Sequence, residues 1–223
     1  MTEQKFDGDK KMPMKTFLAK WERKFIDATV PKFPGWIQGY HLTLMTIPWS
    51  AGLIAFGYLA GGNLSWLWLS SLMLALQWFT DCFDGALGKF RDTGIPKWGY
   101  YMDHLLDFVF ICSLLIGYSF LVEGASKTLV FLLIPVFGCF MANSFLSFGA
   151  TGEFKITYLG TGPTEIRLWF IILNCAIIFF GTGWIEKLLW IILLIAAVML
   201  CVVVYRTQKY IWKVDMGDKA NRR

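Results

Sequence analysis

Two closely spaced pairs of aspartates interrupt an otherwise apolar chain: Asp81 and Asp84, three residues apart, and Asp103 and Asp107, four apart. Residues at either spacing share one face of a helix, so each pair presents two carboxylates in one direction. A single connection joins the pairs, which predicts that all four side chains converge, with Asp107 ~6 Å deeper than Asp103 at a helical rise of 1.5 Å per residue. Four such carboxylates, partly shielded from water, repel one another unless cations or protons offset them. Hard oxygen ligands without a Cys or His cluster suit Mg2+ or Mn2+ better than zinc, and the set is large enough for two ions. Gly85, Gly88, Gly94 and Gly99 punctuate the same stretch, where bare backbone can approach a bulky ligand, and Lys89 and Lys97 supply charge suited to phosphate. Together these groups describe a site for a phosphoanhydride. The plainer reading, in which acids cap helices or pair with Lys89, Arg91 and Lys97, is adopted for Asp92.

The elements that must position these groups are membrane spans. Of 223 residues, 56% are hydrophobic, 17% aromatic and 17% charged, a balance far from that of a soluble domain. Apolar segments of ~20 residues, the length that crosses a hydrocarbon core, recur at 42–60, 64–82, 100–121, 127–148, 168–184 and 186–205. The expected fold is an all-α membrane protein with six transmembrane helices in one bundle and no second domain. Residues 13–30 place Phe17, Leu18, Trp21, Phe25 and Ile26 opposite Lys15, Lys20, Arg23 and Lys24. That spacing predicts an N-terminal amphipathic helix in the membrane interface, or one packed on the protein. Short external links make consecutive spans antiparallel neighbours. The longer connections, 84–99 and 149–167, are where polar chemistry belongs.

Lys and Arg are retained on the cytoplasmic side. With the N-terminus inside, nineteen of them lie on that side and only Lys127 and Lys187 on the other. The aspartate stretch and both termini are therefore expected to be cytoplasmic. The net charge of +5, clustered beside the spans, fits anionic membrane lipids and not nucleic acid. The five cysteines form no CxxC pair and read as small apolar residues.

The stretch D81-x2-D84-G85-x2-G88-K89-x9-G99-x3-D103-x3-D107 resembles the signature of the CDP-alcohol phosphotransferases, membrane enzymes of phospholipid synthesis. That signature reads D-x2-D-G-x2-A-R, eight or nine residues, then G-x3-D-x3-D. Gly88 and Lys89 replace the usual alanine and arginine. The resemblance implies that Asp81, Asp84 and Asp103 hold one metal ion and that Asp107 joins in holding the second. Asp107 would also take the proton of the attacking alcohol; His104, flanked by two candidate ligands, reads either as sharing or tuning that role or as a helix-surface histidine. Gly85, Gly88, Lys89, Gly99 and, at the mouth of the first span, Thr43 would contact the CDP moiety. The reaction implied is transfer of a substituted phosphate from a CDP-linked donor to an alcohol with release of CMP. The chain then divides into a cytoplasmic juxtamembrane segment (1–41), a six-helix catalytic domain (42–206) and a basic cytoplasmic tail (207–223). The family resemblance also admits a homodimer.

Two branches of chemistry stay open. D103-H104-x2-D107 and G162-P163-T164-E165 are similar to segments of choline/ethanolamine phosphotransferases, which would make the donor a CDP-amino alcohol and Glu165 an acceptor-orienting group. Glu165 also reads as first-turn dipole complementation with Thr164 as cap. Lys155 and Arg167 suit instead a phosphorylated acceptor, and the chain length fits the compact users of CDP-diacylglycerol, the donor favoured here. A cation-coupled transporter is the rival class, and it predicts acids or broken helices near the midplane.

Overall fold

The computed structural model describes residues 18–152 and 162–221. Every regular element among them is helical: α1 (Ala19–Thr29), a 3-10 turn (Val30–Lys32), α2 (Gly39–Leu44), α3 (Thr46–Ala60), α4 (Leu67–Phe90), α5 (Pro96–Ser119), α6 (Gly124–Thr151), α7 (Pro163–Phe180) and α8 (Gly183–Asn221), with a second 3-10 turn at Leu64–Trp66. Among the described residues, five helical stretches are long and apolar enough to cross a membrane: Gly39–Ala60, Pro96–Ser119, Gly124–Thr151, Pro163–Phe180 and Gly183–Gly217. The remaining expected span falls on α4, which has the length, 24 residues, but not the same apolarity. Its Ser70, Ser71, Gln77 and Thr80 are buried inside the bundle, where Ser71 bonds to Asn174 and Gln77 to Asp107.

The connection between the aspartate pairs is much shorter than the expected 84–99. α4 continues through Phe90 and α5 begins at Pro96, so Gly85, Gly88 and Lys89 lie in the last turns of a helix and Gly99 in the first turn of the next. Each interior glycine costs a helix about 1 kcal/mol. Phe83 and Leu87, one turn apart, are fully buried against Val30 and Leu42, and burying each such side chain returns roughly 2 kcal/mol or more, so the helix runs on. It ends in a Schellman arrangement: Thr93 N–H donates to the Gly88 carbonyl at 3.1 Å and Asp92 N–H to Lys89 at 3.4 Å, with Asp92 in the left-handed region at φ 52°.

α2 and α3 pack on both α4 and α5. The α3–α5 crossing is close because two glycines meet: a Cβ on Gly57 would stand 2.4 Å from the Gly117 Cα. Small residues at such crossings let backbones approach. α7 lies on α4, and α8 on α6. At 39 residues α8 is ~58 Å long, and it passes residue 207 unbroken, so no structural boundary separates the basic tail from the last span. α1 is amphipathic, and its apolar side rests on α4: Phe25 stacks on Trp78 at 6.1 Å and meets Phe83 edge-on at 5.5 Å. Trp21 remains exposed. Residues 13–17 of the expected helix lie outside the described residues.

Candidate metal and phosphate site

Asp81 from α4 and Asp103 and Asp107 from α5 each offer a carboxylate oxygen, and the three oxygens lie within 4.8 Å of one another. All three residues are half-buried. Opposite ligands of a hard cation with 2.1 Å bonds stand ~4.2 Å apart, so this all-oxygen set could hold a metal ion. α2 and α3 fill the space beside α4 and α5, and the aspartates reach across from one helix to the other.

Asp84 is not in that group. Gly39 explains where it goes. A Cβ there would stand 2.4 Å from the Asp84 carbonyl oxygen, so its lack of a side chain lets α2 press onto α4. One turn on, the buried Thr43 hydroxyl donates to Asp84 Oδ2 at 2.8 Å, and Gly85 N–H donates to Oδ1. The four carboxylates therefore divide into three gathered and one turned to α2, whereas the spacing alone predicts four together. Thr43 meets an aspartate here.

Arg167 was expected in a loop. It sits instead one turn into α7, 8% exposed, because Pro163 and Glu165 start the helix at residue 163. Its Nη2 lies 2.9 Å from Asp81 Oδ2 and 3.6 Å from Asp107 Oδ1. Gln77, buried on α4, donates from Nε2 to the same Asp107 Oδ1 at 3.2 Å. Sequence reasoning missed Gln77, although the signal was available: it is the one strongly polar residue inside the apolar run before Asp81, four residues earlier on the same face.

The glycines serve different ends. Nothing lies within 4 Å of where a Cβ would be at Gly85 or Gly99, so both leave space beside the aspartates. Gly88 is buried, and a Cβ there would meet the Gly94 Cα at 3.2 Å. Lys89 is exposed at the end of α4. His104 turns toward α6. Its ring lies on Tyr100 at 4.3 Å and against Phe145 at 5.1 Å, and Nδ1 is 2.6 Å from the Tyr100 carbonyl, which makes that nitrogen the protonated one.

Glu165 caps α7: Gly162 N–H donates to its Oε2 at 3.0 Å, and Leu18 N–H to its Oε1 at 3.3 Å. Thr164 is not the cap; Gly162 is. The Thr164 hydroxyl donates to Glu22 of α1 at 2.7 Å, and Glu22 also accepts from Cys82 at 3.4 Å. These bonds fasten α1 between α4 and α7, over the flank of the site. Lys155 lies outside the described residues.

Arg91, which no motif marks, binds the other flank. Its guanidinium donates to the carbonyls of Phe33 (2.8 Å), Pro34 (2.9 Å), Gly35 (3.3 Å) and Ile37, fixing the segment that leads into α2. Deeper in the bundle, Tyr118 OH donates to Asn174 Oδ1 at 2.7 Å and Asn174 Nδ2 to Ser71 Oγ at 3.0 Å, tying α5, α7 and α4 together. Comparison of the chain with protein-family models, with curated proteins and with solved structures gives no match.

Proposed function

We propose that the protein is a CDP-alcohol phosphotransferase: a six-span membrane enzyme, its site on the cytoplasmic side, that moves a substituted phosphate from a CDP-linked donor to an alcohol. The observation that carries this reading is the gathering of Asp81, Asp103 and Asp107 within 4.8 Å beside the open backbone of Gly85 and Gly99. That pairs a hard-cation ligand set with room for a bulky anion. Asp81, Asp103 and Asp107, the three that are gathered, would hold one ion, and Asp84, bonded to Thr43, would have to turn from α2 to join in holding a second. When bound, Mg2+ or Mn2+ offsets the charge of the pyrophosphate.

The chain's own groups do the rest. Gly85 and Gly99 admit the donor, with Gly88 shaping the turn beside them, and Lys89 faces its phosphates. Thr43 holds Asp84. The acceptor hydroxyl oxygen bonds to the β-phosphorus as the bond from that phosphorus to the bridging oxygen breaks. The hydroxyl proton passes to Asp107, oriented by Gln77 at Oδ1, and CMP leaves with the electron pair. His104 supports the segment from behind.

CDP-diacylglycerol is the favoured donor, because Thr164 and Glu165, the residues that speak for an amino alcohol, are engaged in capping α7 and anchoring α1. Arg167, with Lys155, then suits a phosphorylated acceptor. The test is CMP release by purified protein in lipid vesicles, with Mg2+ or Mn2+, from CDP-diacylglycerol, CDP-choline and CDP-ethanolamine against a panel of acceptors. Release from CDP-diacylglycerol is expected. Release from CDP-choline alone moves the protein to the other branch, and no release from any donor overturns the proposal.

A further inference from the structure

Arg167 carries a charge that it cannot shed, and it is buried against two of the three gathered carboxylates. Its Nη2 is within 2.9 Å of Asp81 Oδ2 and 3.6 Å of Asp107 Oδ1. Helix α7 delivers it there rigidly: Pro163 and the Glu165 cap fix the start of the helix one turn earlier, and the helix packs on α4. Gln77 donates to the same Asp107 Oδ1, with its own Oε1 buried and unpartnered among the described residues. An arginine that merely braced two helices would need one carboxylate. This one faces two, from different helices, both within the group able to hold a metal.

We propose that Arg167 is an internal counter-cation that exchanges with the metal. It keeps Asp81 and Asp107 oriented and partly neutralised while no ion is bound, and it gives up those contacts when an ion takes the same oxygens. Cation and guanidinium compete for the same lone pairs and repel each other at short range, so metal affinity is set by the exchange. The released guanidinium stays beside the site as a partner for phosphate. This inference rests on the metal-site reading above, but not on the identity of the donor.

The experiment is Mn2+ binding to the detergent-purified chain without nucleotide, read from the paramagnetic resonance signal of free Mn2+. Arg167→Gln is expected to tighten Mn2+ binding by about tenfold or more. Arg167→Lys keeps the charge on a single-point head that cannot fork between two carboxylates and should fall between the two. A merely structural arginine would, on removal, loosen the site, so an affinity that is weaker or within twofold of wild type overturns the proposal. Should Arg167→Gln not purify as a monodisperse species, Arg167→Lys alone decides by the same criterion. The two proposals fail separately. Tightening in a protein that releases CMP from no donor leaves the exchange standing and removes the transferase, whereas CMP release with Mn2+ affinity indifferent to Arg167 does the reverse. A wild-type chain that binds no Mn2+ overturns the exchange, and CMP release then decides the transferase on its own.

Discussion

The Thr43 hydroxyl donates to Asp84 Oδ2 at 2.8 Å, and this bond draws the fourth aspartate of the motif toward α2 and away from the other three. Hydrogen bonds to a charged group contribute ~1.5–3 kcal/mol. Thr43→Val, which keeps the shape and removes the hydroxyl, should lower kcat/KM for CMP release by about tenfold or more. Steady-state kinetics of the variant check this, and unchanged kinetics would show that Asp84 needs no help from α2.

Asp107 has the proposed proton-accepting role. Positioned general bases contribute ~10²–10⁴-fold, so Asp107→Asn should reduce CMP release by at least about a hundredfold while the protein still elutes as a folded species. Chelation with EDTA should abolish release in the wild type, and Mg2+ or Mn2+ should restore it. Full activity in the asparagine variant would remove the base assignment and leave the metal set in place.

The open space at Gly85 separates stability from function. Alanine gains ~1 kcal/mol over glycine in a helix interior, and nothing obstructs a Cβ at this position. Gly85→Ala should therefore melt at the same temperature or higher, yet release CMP more slowly because the methyl group stands where the donor approaches. Thermal melting and kinetics on one preparation suffice; a variant as active as wild type would mean that the donor does not pass there.

Gly57 gives the opposite result. A Cβ there would meet backbone atoms of Gly117 at 2.4–2.8 Å, and backbone cannot step aside as a side chain can. Overpacking of this kind costs ~1–3 kcal/mol, more than the helix propensity gained. Gly57→Ala should lower the melting temperature, and an unchanged melt would show that the α3–α5 crossing is looser than these distances imply.

Arg91 fastens the segment entering α2 through four carbonyls. Arg91→Ala should increase hydrogen exchange at residues 33–38 by about tenfold or more, as a loss near 1.4 kcal/mol per decade requires. The core of α5 should be unaffected. A uniform rise across the whole chain would point to global destabilisation instead.

Much of the site was legible because carboxylates in apolar surroundings are costly and their spacing maps directly onto a helix face. Asp81, Asp103 and Asp107 do meet. What sequence spacing cannot carry is the third dimension. Asp84 sits on the same helix as Asp81, but Gly39, forty-five residues earlier in the chain, decides that α2 comes close enough to take its carboxylate. Likewise Arg167 reads as a loop cation until the Pro163 start and Glu165 cap wind it into α7. Helix ends were misjudged where glycines, counted as breaks at Gly85 and Gly88, were outweighed by burial of Phe83 and Leu87. The expected second span, 64–82, carries Ser, Gln and Thr that turn inward together with Asp81, and α4 falls below the apolarity of the others. Arg91 left no trace in the sequence, because its partners are backbone carbonyls, which every residue has.

One uninterrupted helix, α4, carries Ser71 at the deep polar tie, Gln77 and Asp81 at the carboxylate group, and Gly85 and Gly88 at the mouth. Each residue advances a helix by about 100°, so a single inserted residue between Ser71 and Gln77 would swing everything beyond it a quarter-turn or more away from α5 and α7. The site is thus intolerant of any change in the residue count of α4. Length variation has to be absorbed in the connection before Leu67 or in the five residues from Arg91 to Ile95. Helix α4 is a spindle whose phase keeps the carboxylates aligned.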